Sequence, residues 1–240
     1  MVVRSDGRAP LEMRKLILTP NFLPQAEGSC LVEMGNTRVI VTASVESSVP
    51  PWMSGRGTGW VTAEYGMLPR STHSRNRRAA SSSQQNGRTL EIQRLIGRSL
   101  RAITDFSKLG ERTVYIDCDV ISADGGTRVA SIIGATVALY EADRWLLGKG
   151  KIASSALTGF IAALSVGVIS GEVLVDLAYD EDSTAEVDMN IVMNDAGRLV
   201  EIQGTAERQT FERAMLNAML DAAEPSIRDI IARQKETIGR

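Results

Sequence analysis

The stretch SADGGTRVA, Ser122 to Ala130, sets two adjacent glycines before a threonine and an arginine. Glycines let a backbone come close to a ligand, and a helix opening at such a turn offers unpaired N–H groups and a dipole that favours negative charge. Thr127 and Arg128 add a hydroxyl and a fork of donors, so Gly126, Thr127 and Arg128 form a candidate cradle for an anion. The structural alternative is a tight turn at Gly125 and Gly126, with Thr127 capping the helix. NGRTLE places a second arginine and threonine, Arg88 and Thr89, at the mouth of another helical stretch. Two helix starts of this kind can converge on one tetrahedral anion; a solvated loop position for Arg88 is the alternative.

Charge is segregated along the chain. Lys and Arg number 27 against 29 Asp and Glu, a net charge of −2 that by itself argues against a general nucleic-acid binder. Yet Arg70 to Arg101 holds eight arginines and one acid, Glu91, while Asp176 to Asp188 holds six acids and no base. Such segregation fits an arginine-lined surface for a polyanion beside carboxylates that need a cation. Asp182 and Asp188 stand six residues apart, the second on an alternating strand and the first in the turn before it. Hard oxygen donors of this kind suit Mg²⁺, which commonly takes one or two carboxylates plus substrate phosphate oxygens. A charged turn on a solvated face is the commoner reason for an acid run. Arg70, Arg75, Arg77 and Arg78 lie in a polar run without compensating acids, which favours a flexible, single-stranded polyanion. His73 stands alone in that run, where an imidazole is usually just solvated.

The elements that must position these groups read as follows. EGSCLVEM and TRVIVTASV alternate like strands joined at a Gly-Asn hairpin, with MRKLILT as a further strand before them. Residues 47–70 are rich in Pro and Gly and are expected to be irregular; 70–88 are expected to form an exposed mobile loop. A helix is expected from Thr89 as N-cap, through Leu95, Ile96, Leu100 and Ile103. TVYIDCDVI reads as a strand, and RVASIIGATVALYEADRWL as a helix apolar enough to be buried on several sides. Strands follow near 159–170, 172–179, 185–193 and 198–204, then two helices, 206–224 and 225–238. Gly-Thr pairs at Gly126 and Gly204 give a weak internal echo between the halves. The expected class is α+β, β-sheets layered with helices, in one domain over 1–240 with a possible internal duplication.

At 240 residues the chain can build a core of ordinary size. Cys30 and Cys118 lie in apolar alternating segments and read as buried free thiols, which fits a reducing interior. The start MVVRSDGRAP lacks an apolar signal core, and no apolar run is long enough to span a bilayer. A cytoplasmic protein without a membrane partner is expected.

Taken together, DGR at Asp6, GNTRVIVTASVE, GWVTAEYGMLPRSTHSRN, GRTLEIQRLIGRSLRA, DCDVISADGGTRVASI, EDSTAEVDMNIVM and EIQGTAE resemble, in order, the bacterial ribonuclease PH family over nearly the whole chain. The resemblance implies an α+β fold of the ribosomal protein S5 domain 2-like type. It implies a homohexameric ring that phosphorolytically trims tRNA precursors and other single-stranded RNA 3′ ends. Inorganic phosphate is then the co-substrate, held by Arg88, Gly126, Thr127 and Arg128. Asp182 and Asp188 are then associated with Mg²⁺ and catalysis, and Arg70, Arg75, Arg77 and Arg78 grip RNA. A non-catalytic RNA-binding ring subunit that scaffolds an active partner is the rival. Two departures stand out: AASSSQQN follows RNRR where relatives often carry a glutamate and lysines, and Arg208 stands where a glycine is common.

Overall fold

Alternation places Cys30, Val32 and Met34 on one face of β2 (Gly28–Met34) and Val39, Val41 and Ala43 on the matching face of β3 (Thr37–Glu46), all fully buried. The computed structural model describes residues 2–78, 86–207 and 210–239. β2 and β3 meet at the expected two-residue turn, with Met34 opposite Thr37. β1 (Leu16–Pro20) pairs with β2, and β5 (Thr113–Ser122) with β3. β4 (Trp60–Met67) closes a five-stranded sheet of order β1-β2-β3-β5-β4, in which only β4 and β5 run parallel.

A second, antiparallel sheet has the order β7-β6-β8-β9, built from β6 (Ile161–Ile169), β7 (Glu172–Val175), β8 (Val187–Asn194) and β9 (Leu199–Ala206). The helices are α1 (Gly87–Arg101), the short α2 (Phe106–Leu109), α3 (Thr127–Gly148), the short α4 (Tyr179–Asp182) and α5 (Arg213–Thr237). The α+β expectation holds.

α3 is apolar all round because it lies against both sheets. Its buried apolar side chains, from Val129 to Leu146, belong to the same cluster as the inner faces of β2, β3, β6 and β8. Polar ties fix its depth: Thr136 Oγ1 donates to the Ile161 carbonyl of β6 (2.9 Å), and Gln234 Nε2 of α5 donates to the Ile133 and Ile161 carbonyls (3.0 and 3.1 Å). Cys30 and Cys118 are free and buried, as expected.

Four expectations need correction. The segment expected to be irregular contains β4, because Val61, Ala63 and Tyr65 alternate inward beneath the glycine-rich flank. α1 begins before Thr89: the Asn86 side chain caps it by accepting from Arg88 N (3.0 Å). The last two helices are one, since Met219, Ala223, Ile227, Ile230 and Gln234 keep one buried stripe past Pro225. Pro225 itself is exposed, so the carbonyl its ring leaves without a donor can face water. The Gly-Thr echo fails at Gly204, which sits within β9 rather than in a turn opening a helix. The departures at 79–85 and at Arg208 lie outside the described residues.

Candidate active site

The glycine turn is braced from two directions. Thr37, at the start of β3, donates its hydroxyl to the Gly125 carbonyl (2.6 Å) and accepts from Asp124 N (2.9 Å). Arg14 donates to the Asp124 carbonyl. Gly125 and Gly126 both have positive φ, 75° and 68°. A methyl on Gly125 would sit 2.6 Å from the Leu177 carbonyl oxygen, so the turn rests directly on the backbone that leads to Asp182. Gly126, in the left-handed conformation, is the N-cap of α3, and no side chain caps that end among the described residues. The first-turn N–H groups, which no intrahelical carbonyl can satisfy, thus begin at the cavity wall. Thr127 therefore does not cap the helix. It lies inside the first turn, with its hydroxyl 2.8 Å from the buried Tyr65 hydroxyl.

Arg128 is held over the same opening. Its Nη1 donates to Gln203 Oε1 of β9 (3.1 Å) and to Glu91 Oε1 of α1 (3.4 Å). A guanidinium has five N–H donors, so this tether leaves several for an anion. Arg88, in the first turn of α1, lines the same cavity.

The acid run divides in two. Strand β7 ends at Val175, and Asp176 turns the chain with φ 54°. Asp176 is fully buried and accepts from Arg14 through N (2.7 Å), Nε (2.9 Å) and Nη2 (2.7 Å), with Arg8 Nη1 at 3.4 Å. Glu181 accepts both Nε and Nη2 of the buried Arg4, at 2.7 and 2.8 Å. Burial alone would raise the Glu181 carboxyl, but the Arg4 and Ala178 hydrogen bonds outweigh it and leave it lowered.

Asp182, one residue later, faces the other way. It ends α4 and lines the cavity with Asp188 of β8. Burial raises the Asp182 carboxyl against the pull of Arg88 and Arg128. Burial first, then the charge of Asp182, pushes Asp188 up to about 6. Asp188 Oδ1 is buried with no hydrogen-bond partner among the described residues.

One cavity of roughly 390 Å³ thus brings together Arg88, Gly126, Thr127, Arg128, Asp182 and Asp188. Two desolvated carboxylates that repel each other, one with an orphaned oxygen, fit a divalent cation. No group of three His, Cys, Asp or Glu able to hold a metal exists among the described residues, so such an ion would complete its shell with water or phosphate oxygens.

In the sequence His73 reads as merely solvated, and several other residues that line the cavity are not singled out. His73 and Asn76 come from a segment expected to be a free loop. Within residues 70–78, a described part of that segment, two hydrogen bonds tie the chain to the cavity rim while 73–78 stay exposed: Asn76 N donates to Pro69 O (2.8 Å) and Ala123 N to Ser71 O (2.8 Å). Tyr179, Ser165 and Asn190 also line the cavity, and of these only Asn190 lay in a motif that could have flagged it, beside Asp188 in DMN.

The loop arginines stand apart from the main cavity. Arg70 lines an adjoining cavity that shares Thr72 and His73 with it. Arg77 and Arg78 line another that shares Asn76 and Arg88. Arg75 is exposed. Two more arginines of the basic stretch serve the fold: Arg98 pairs with Glu201 (2.7 Å), and Arg101 lies 4.8 Å over the Trp60 ring. Among the described residues no helix is long and apolar enough to cross a membrane.

Comparison with known proteins agrees with this architecture. The model of the 3′ exoribonuclease (RNase PH) family, domain 1, matches residues 12–144, and the model of domain 2 matches residues 159–225. The fold is that of rice (Oryza sativa) Rrp46, with a TM-score of 0.79 at 17% identity, covering 98% of this chain and 100% of that one. A chain of the Archaeoglobus fulgidus exosome with RNA bound to the active site matches with a TM-score of 0.81 at 22% identity, covering 96% and 92%. A chain of an archaeal exosome core matches at 0.76 and 21%, covering 98% and 91%.

Proposed function

Since this chain belongs to the 3′ exoribonuclease family, we propose that it is a phosphorolytic 3′-to-5′ exoribonuclease that trims tRNA precursor 3′ ends and releases nucleoside 5′-diphosphates. The observation that carries this reading is the meeting of two arginines and an uncapped helix start with two desolvated carboxylates in one cavity.

Orthophosphate seats against the first-turn N–H groups of α3, between Arg88 and Arg128. One of its oxygens attacks the terminal phosphorus. A new P–O bond forms, the bond to the penultimate residue's 3′ oxygen breaks, and that oxygen takes a proton. Two anions must meet, so charge neutralisation and alignment carry the catalysis. Mg²⁺, held by Asp182 and Asp188 together with phosphate oxygens, would supply part of that neutralisation. With both carboxylates engaged in that way the proton comes from solvent; otherwise Asp188, at about 6, is the group able to carry it. Exchange of a phosphodiester for a phosphoanhydride makes the reaction reversible, so nucleoside diphosphates extend RNA.

Arg70, Arg75, Arg77 and Arg78 grip the RNA backbone; three of them line cavities that share wall residues with the site. We further propose that the active form is a homohexameric ring in the cytoplasm; the chain's likeness to chains of exosome assemblies supports only that it assembles with other chains.

A 3′-extended tRNA incubated with and without orthophosphate tests the reading. Nucleoside diphosphate should appear only with phosphate. Monophosphate at equal rates in both buffers would contradict it. RNA retained without any release would favour the non-catalytic ring subunit.

A further inference from the structure

Asn190 is 6% exposed, lines the main cavity, and its side chain has no hydrogen-bond partner among the described residues. Residues 188 and 190 point to the same face of β8, so its carboxamide lies along the strand from Asp188. The two residues directly across from it are Ser165 on β6 and Gln203 on β9. Neither serves it: Ser165 Oγ accepts from Leu177 N (3.1 Å), while Gln203 accepts from Arg128 and donates Nε2 to Glu201 (3.0 Å). A carboxamide offers two donors and one acceptor, and burying it without partners is costly. Its amide is not among the fully buried unpartnered atoms and so opens on the cavity, which leaves its donors free for whatever the cavity holds.

Its position says which part of the ligand. Asn190 stands one strand away from Gln203, which holds Arg128, and two residues along from Asp188. It therefore lies between the groups that grip an incoming anion and the carboxylates. We infer that Asn190 donates a side-chain N–H to a non-bridging oxygen of the phosphoryl group under attack, the group that becomes the α-phosphate of the released nucleoside diphosphate. A neutral donor suits this place, because a second arginine there would pair with Asp188. The inference rests on the phosphorolytic reading above, but its test reads binding and needs no turnover.

Calorimetric titration of uridine diphosphate and of orthophosphate, in buffer with a chelator, compares the parent with Asn190→Ala, Asn190→Asp and Arg128→Ala. Loss of one hydrogen bond to a charged group should weaken diphosphate binding about 10- to 100-fold in Asn190→Ala and leave orthophosphate affinity within about threefold. Asn190→Asp should weaken diphosphate binding more, and Arg128→Ala should weaken both ligands. Thermal melting of unliganded Asn190→Ala should match or exceed the parent, whereas a residue with a purely structural role would lower it. Unchanged diphosphate affinity in Asn190→Ala, or an equal loss for both ligands, overturns the assignment while the phosphorolytic reading stands. A carboxamide that acts only as a metal ligand would also leave affinity unchanged under chelation. A parent that binds neither ligand overturns both.

Discussion

Glu181 and Asp182 are neighbours in the same short helix, yet the fold treats them oppositely. Glu181 and the nearby Asp176 face the N-terminal arm and are paired with Arg4, Arg8 and Arg14. Asp182 and Asp188 face the cavity, where both carboxyls are raised and one oxygen is orphaned. The first pair spends its charge on structure, fixing the turn that carries Asp182 against the glycine turn. The second pair keeps its charge available, at a cost to the unliganded fold. A run of six acids thus holds both a brace and a site, and their partners tell them apart: arginine ion pairs on one side, an orphaned carboxylate oxygen on the other.

The comparison can be broken or sharpened by substitution. The largest effect is expected on the cavity side. Arg128→Ala should lower phosphate-dependent release of the terminal nucleotide by at least about 10³-fold while RNA binding, read by filter retention, changes little. On the brace side, Asp176→Ala leaves Arg14 buried and unpaired, and chemical denaturation should show a loss of about 3–5 kcal/mol. Asp188→Asn should do the opposite in metal-free protein. A carboxyl held near 6 rather than 3.8 destabilises the ionised fold by at most about 3 kcal/mol, and less where water enters the cavity. That variant should melt higher at neutral pH while releasing no nucleotide.

The pH dependences should also run in opposite directions. Because Asp188 binds its proton more tightly in the folded state, its contribution to stability falls as pH rises from 3.8 through about 6. Glu181 is lowered from 4.5, so its contribution is present above that value and is lost as pH falls through the lowered one. Melting curves of Asp188→Asn and of Glu181→Gln across pH 3 to 8 separate the two slopes; slopes of the same sign would remove the distinction. The smallest effect belongs to the loop. Removing Arg75, Arg77 and Arg78 should flatten the salt dependence of tRNA binding by about 0.7 in log–log slope per lost phosphate contact.

The parts of the site that local chemistry dictates were legible in the chain. Two glycines before a long apolar helix announce a close approach, and the structure places that turn at the cavity wall. Arg88, Arg128 and both aspartates were named from residue type and neighbourhood, and they do converge. What could not be read depends on contacts distant in sequence. Nothing in MVVRSDGRAP points to a partner such as Glu181, 177 residues from Arg4. Strand β4 was hidden by the glycines and prolines before it, although Val61, Ala63 and Tyr65 keep the period of a half-buried strand. Pro225 read as a break because the rule concerns the lost hydrogen bond. Here the loss falls on the wet side of a helix whose buried stripe continues past it.

Isotope-labelled orthophosphate tests the central claim most directly. If free phosphate docks where α1 and α3 begin and acts there as the nucleophile, the label should appear in the β-phosphate of each diphosphate released from a 3′-extended tRNA, one label per nucleotide. Nucleotides released without label, while all of the label stays in orthophosphate, would contradict it.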